Sequence, residues 1–207
     1  EAYKSGVKRL LAALSTCAFP DVVSYYPFDE SEIFNGPPPK TNLSYGYAKR
    51  LLHVQCISYS KEYGVEYTTF SPANLYGPKD NFDPESSHFV AALIKKVSEA
   101  KDGESIEFWG TGKPLKQELF VDDLCYILPE LLDKHKGEDT VIVAPDENLS
   151  ILTMVNTLLE ESTKDLKVSF NGFLDGQYRK DGKNEKLKSI IPGLKFTSFR
   201  EGIIVRK

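Results

Sequence analysis

Segments of strand length alternate with segments of helix length along almost the whole chain, and no other feature restricts the fold as much. Residues 7–17 read as a buried apolar strand running into Ser15, Thr16 and Cys17. A loop rich in Pro, Gly and Asn follows, closing on three consecutive prolines that hold an extended shape without donating backbone hydrogen bonds. The pattern then predicts a helix over 44–63 with Gly64 as its stop, and an alternating strand over 65–71 ended by Pro72. Further on come a helix over 89–97, a short strand over 105–109, a tight turn at Gly110-Thr-Gly112 and a helix over 122–134 capped by Asp122. A buried strand over 140–144, a helix over 150–159 capped by Ser150, a strand over 167–170 and one or two weaker tail helices complete the series. This order predicts an α/β fold with a largely parallel sheet.

Composition removes several alternatives. Of 207 residues, 41% are hydrophobic and 27% charged, enough apolar surface for a packed core. The net charge of −4 speaks against binding a nucleic-acid backbone, and no apolar run is long enough for a membrane span, so neither partner is expected. Three cysteines at irregular spacing, Cys17, Cys56 and Cys125, argue against a disulfide framework and for a reducing, cytoplasmic setting. His53 and Cys56 stand three apart, but no further ligands complete a metal site, and none is expected. Cys56 and Cys125 fall in helical patterns and read as core, whereas His135 falls at a charged helix end and reads as solvated.

A doubly wound sheet that binds a dinucleotide ordinarily opens with a strand, a glycine-rich turn and a helix whose N-terminus takes the pyrophosphate. No Gly-x-Gly-x-x-Gly occurs here, and Gly110-Thr-Gly112 runs into Lys113-Pro114 instead of a helix. Either no dinucleotide binds, or the chain starts partway through its domain. An N-terminal Glu1 and a single methionine, Met154, agree with the second expectation.

The chemistry-bearing candidates begin with Tyr45 and Lys49, four apart and so on one helix face. An ammonium beside a phenol favours the phenolate and makes the tyrosine usable as a proton donor. Ser15 and Cys17 lie at the carboxyl end of a predicted strand, where open α/β sheets hold ligands. Each residue also has a plainer role open to it. Tyr45 and Lys49 suit a solvated helix pair, Cys17 suits packing, His88 suits capping the following helix, Asn74 suits a turn, and Trp109 suits a strand-end core position.

The order Ser15, Tyr45, Lys49, with Phe70-Ser-Pro-Ala-Asn-Leu-Tyr-Gly-Pro78 and Leu119-Phe-Val-Asp-Asp123, resembles the extended short-chain dehydrogenase/reductases. Narrower motifs are Ser15-x-Cys17 before Phe19-Pro20, Asn35-Gly-Pro-Pro38, Ser87-His88 and Trp109-Gly-Thr-Gly-x-Pro114. Together with Asn74-Leu-Tyr-Gly-Pro-x-Asp-Asn-Phe82, they resemble the GDP-L-fucose synthase family, GDP-4-keto-6-deoxy-D-mannose epimerase/reductases, from about residue 15 to residue 192. The resemblance implies the C-terminal part of a doubly wound Rossmann-type sheet with a smaller interleaved α/β substrate domain. Residues 1–74 and 119–145 would be the remainder of the NADP-binding domain, and 75–118 with 146–207 the substrate domain.

It also implies NADPH as cofactor, a GDP-sugar as substrate and a homodimer through the helix bearing Tyr45. Cys17 would be the base and His88 the acid of epimerisation. Tyr45 would protonate the C4 oxygen during reduction, helped by Ser15 and Lys49. Tyr45, Lys49, Pro72, Asn74 and His88 would border the cofactor, and Asn74, Lys96, Trp109, Lys116, Asp175 and Lys180 would contact substrate. The chain departs from the family at several positions. Lys96 and Lys116 stand where arginines are expected, Glu118 where an aromatic residue is usual, and Lys79 and Phe120 where histidines are. A lysine keeps the charge but loses the bidentate fork, which leaves open a related enzyme acting on another nucleotide sugar. The missing glycine turn leaves open a homologue that only binds.

Overall fold

The computed structural model describes residues 1–173 and 175–204. In chain order the elements are β1 (Arg9–Ala13), α1 (Leu43–Tyr63), β2 (Glu66–Pro72), β3 (Asn74–Tyr76), α2 (Phe89–Glu99), β4 (Ser105–Phe108), β5 (Leu115–Lys116) and β6 (Glu118–Phe120). There follow α3 (Val121–Lys134), β7 (Val141–Val143), β8 (Leu149–Ser150), α4 (Ile151–Ser162), β9 (Lys167–Phe170), α5 (Glu185–Ile190) and α6 (Phe199–Ile204).

A parallel sheet in the order β1-β2-β7 organises the first core, with Leu11 opposite Thr68 and Phe70 opposite Val141. Its strands are covered on both faces. Leu10 and Ala12 pack in a cluster with Cys56 of α1 and Tyr67 of β2, while Leu11 packs against the cluster that holds Ile127 and Leu131 of α3. Consequently β2 is buried without interruption from Tyr67 to Ser71 and does not follow the expected alternation, as befits a strand between two helical layers. The strand expected over 7–17 is shorter and only half-buried. It stops at Ala13, after which Ser15 caps a 3-10 turn, Thr16–Ala18.

A second core gathers Val90 and Leu93 of α2, Ile106 and Phe108 of β4, Met154 and Val155 of α4, and Phe199 of α6. Here β4 pairs in parallel with β9, and β5 pairs antiparallel with β8. The parallel β3–β6 pair lies between the cores: Leu119 contributes to the first, and Tyr76 and Phe120 to the second. Three local expectations are corrected. Phe120, not Asp122, is the N-cap of α3. Cys125 is exposed, being on the outward face of α3, and His135 is buried with its ring bonded to the Asp139 carbonyl at 3.0 Å.

Candidate active site

Where β1 gives out, the backbone tightens into the Thr16–Ala18 turn, and Ser15 Oγ accepts the Cys17 amide at 3.1 Å to hold it. The turn leaves the Cys17 thiol half-exposed. Two donors converge on its sulfur: Lys180 Nζ at 3.1 Å and Asn42 Nδ2 at 3.7 Å. An adjacent ammonium is the kind of neighbour that suits a sulfur acting as a proton acceptor.

The helix α1 brings Tyr45 and Lys49 to the same strand ends. Its close approach requires Gly46, because a Cβ there would lie 2.5 Å from Pro38 Cβ and 2.7 Å from the Cys17 carbonyl oxygen. Arg50 ties the helix to the turn by donating from Nε to the Ala18 carbonyl at 2.6 Å. Lys49 Nζ donates to the Ala13 carbonyl at 2.8 Å and lies 5.5 Å from the Tyr45 ring centroid.

Two neighbouring cavities open at this edge. One, of about 430 Å³, is bordered by Ser15, Tyr45, Lys49, Pro72, Asn74 and His88. The other, of about 470 Å³, is bordered by Cys17, Asn42, Asn74, Lys116 and Lys180. Ala73 and Asn74 line both, so the two cavities adjoin there. His88 stands at the N-cap of α2, yet its side chain makes no capping bond, so the imidazole is not used up by the helix. Asn74 is a strand residue, not a turn residue, with Nδ2 donating to Glu118 Oε1 at 3.3 Å.

Glu118 borders the first cavity and is 8% exposed. Burial pushes its carboxyl up to about 7, against the pull of the Asn74 bond and the Lys116 charge. Lys116 is lowered, chiefly by burial.

Other sequence candidates lie apart from these cavities. Lys96 and Trp109 border a third space of about 600 Å³, with Lys96 Nζ 5.1 Å from the Phe108 ring centroid. Trp109 is 83% exposed, which disposes of the core reading. Asp175 accepts the Thr111 amide at 2.8 Å and its hydroxyl at 2.7 Å, thereby holding the turn after Trp109. Asn42 escaped sequence reasoning because a lone asparagine before a helix reads as a cap, although it makes no side-chain cap bond. Glu118 was visible as a departure, but its partner Asn74 becomes evident only from the β3–β6 register. Among the described residues no cluster of His, Cys, Asp and Glu could hold a metal ion, and no helix is long and apolar enough to cross a membrane.

The sequence pattern of the NAD dependent epimerase/dehydratase family matches residues 1–144. The chain belongs to that family. GDP-L-fucose synthase of Dictyostelium discoideum is 37% identical over 201 residues, covering 95% of this chain and 62% of the relative. A probable GDP-L-fucose synthase of Drosophila melanogaster is 34% identical over 218 residues, covering 98% of this chain and 66% of that protein. The crystal structure of a GDP-L-fucose synthetase from Naegleria fowleri bound to NADP superposes with a TM-score of 0.90 at 32% identity, over 98% of this chain and 63% of that one. The chain therefore spans somewhat under two thirds of the length of these relatives. Its α/β architecture with a parallel sheet is theirs.

Proposed function

We propose that this chain carries the catalytic groups of an NADPH-dependent 3,5-epimerase/4-reductase converting GDP-4-keto-6-deoxy-D-mannose to GDP-L-fucose. The observation that carries the reading is that two cavities adjoin at Asn74, one lined by a thiol flanked by two donors and the other by the Tyr45–Lys49 pair with His88. Relatives named GDP-L-fucose synthase and an NADP-bound structure of one support it.

The chemistry follows from the sugar. Hydrogens on C3 and C5 flank the C4 ketone and are acidic through an enolate, so each centre inverts if one group removes a proton and another returns one from the opposite face. Cys17 Sγ takes the proton and His88 returns it. For reduction, Tyr45 gives its hydroxyl proton to the C4 oxygen while Ser15 hydrogen-bonds that oxygen, and the Lys49 ammonium steadies the phenol. Tyr45 and Lys49, on the wall of the cavity at the carboxyl ends of β1 and β2, would hold the nicotinamide ribose. NADPH, when bound there, supplies the hydride for C4. The sequence holds no glycine-rich turn for the pyrophosphate.

The same reading divides the chain into cofactor-side residues 1–74 and 119–145 and substrate-side residues 75–118 and 146–207, although Leu187 and Ile191 pack in the first core and Phe120 in the second. It assigns a cytoplasmic homodimer formed through α1. Trp109, Lys96, Lys116, Asp175 and Lys180 serve the nucleotide and sugar, Asp175 by way of the turn it holds. Lysines at 96 and 116 and the carboxyl at 118 favour one rival, a related enzyme on another nucleotide sugar. Incubation of the protein with NADPH and GDP-4-keto-6-deoxymannose separates the two. Loss of NADPH absorbance with formation of GDP-fucose is expected. Turnover of a UDP- or dTDP-keto-sugar with none of the GDP compound would reject the proposal, and the absence of turnover with any of them would leave a binding homologue.

A further inference from the structure

Glu118 has no counterpart in the mechanism above, yet it is a buried carboxyl beside the reacting space. Its strand sets the geometry. Asn74 of β3 is the direct register partner of Glu118 of β6, and their side chains meet at 3.3 Å. Asn74 is itself exposed and lines both cavities, so whatever Glu118 does to that carboxamide is felt by a ligand in either. We propose that Glu118 is a positioning residue that sets which end of the Asn74 carboxamide faces the ligand, and so makes the site favour a ketone or a hydroxyl. The proposal rests on the reading of these cavities as a keto-sugar site.

The argument is one of donor and acceptor inventory. An ionised carboxylate can only accept, so it takes the Asn74 Nδ2 hydrogen and leaves Oδ1 as the atom offered to the cavity. A protonated Glu118 can donate its O–H to Asn74 Oδ1, which turns the amide NH2 toward the cavity instead. A sugar ketone accepts hydrogen bonds and cannot donate, whereas a hydroxyl does both. The two states of Glu118 therefore differ for a 4-keto sugar and differ little for a 4-hydroxy sugar.

The groups around Glu118 allow both states near neutrality. Lys116 on β5 favours the carboxylate, and Asp80 in the loop after β3 opposes it. Glu147, before β8, shares the small space on its other side, where α4 and α6 contribute only Met154 and Phe199. The Tyr76 hydroxyl on β3 is buried nearby and makes no hydrogen bond among the described residues. Across the cavity stand Tyr45, Lys49 and His88. Burial outweighs the one cation and brings the carboxyl to about 7.

The test follows the Asn74 side-chain amide by ¹⁵N NMR from pH 5 to 9, in the wild-type chain and in Glu118→Gln. In parallel, titration calorimetry measures binding of GDP-4-keto-6-deoxymannose and of GDP-mannose at pH 6 and pH 8. In the wild type the Asn74 resonance should move with a midpoint near the Glu118 value, and the keto/hydroxy affinity ratio should fall about 5-fold from pH 6 to 8, the worth of one hydrogen bond. In Glu118→Gln both the resonance and the ratio should stay flat. A wild-type ratio that does not change while both sugars bind overturns the proposal, as does a pH effect that survives in Glu118→Gln. If neither sugar binds, an Asn74 resonance that tracks Glu118 upholds the positioning role and counts against the keto-sugar reading instead, whereas an Asn74 resonance that ignores Glu118 overturns the role.

Discussion

Cys17, Tyr45 and Glu118 are each expected to fail in a different way when altered. Cys17→Ser removes the sulfur on which Lys180 and Asn42 converge, so deuterium uptake at C3 and C5, followed by NMR of the sugar, should drop at least 100-fold while hydride transfer to C4 persists. Tyr45→Phe keeps the ring beside Lys49 but deletes its proton, so NADPH oxidation should fall by about 10²–10⁴-fold with exchange at C3 and C5 retained. Glu118 affects stability as well. Its native value of about 7 lies above the ordinary 4.5, so its burial costs nothing below pH 4.5, and stability is lost as pH rises through 7. Denaturant melts of Glu118→Gln against wild type should show the variant gaining about 3 kcal/mol in relative stability between pH 4 and pH 8. An unchanged difference across that range would contradict the buried-carboxyl account.

At the scale of elements, α1 and the 3-10 turn behave as one unit, clasped by Arg50 and by the fit of Gly46 against Pro38. Gly46→Ala places a methyl inside van der Waals contact of both Pro38 and the Cys17 carbonyl, so it should cost about 1–3 kcal/mol in thermal or chemical unfolding and lower both half-reactions together. Much of this level was legible beforehand. The helix Leu43–Tyr63 with its Gly64 stop, the strand Lys167–Phe170 and the Ser150 cap follow from local periodicity and capping chemistry alone. What local pattern could not supply was depth. His135 looks solvated from its charged neighbours but is enclosed, and β2 looks alternating but is covered on both faces, because burial depends on which distant element folds over a segment. The pairing of Asn74 with Glu118 was invisible for the same reason: register joins residues 44 apart in sequence.

The molecule as a whole has two cores joined through a narrow parallel pair, and one of its faces is unusually apolar. On α1, Leu43, Tyr47, Leu51 and Val54 are all exposed, between 42% and 58%, at spacings that put them along one side of the helix. If the homodimer forms there, sedimentation should give a concentration-dependent dimer, and Leu51→Lys should shift it to monomer without loss of helical circular dichroism. A wild-type protein that stays monomeric up to high micromolar concentration would remove α1 as an interface.

The bond from the Cys17 amide to Ser15 Oγ has a practical sequel. That oxygen holds the turn that carries the thiol and, in the proposed mechanism, also donates to the ligand, so trimming residue 15 to alanine is expected to slow epimerisation and reduction together. Any rate lost in such a variant mixes two defects. Threonine at that place spares the acceptor and the proton alike, and is the cleaner probe of how crowded the ring's surroundings are.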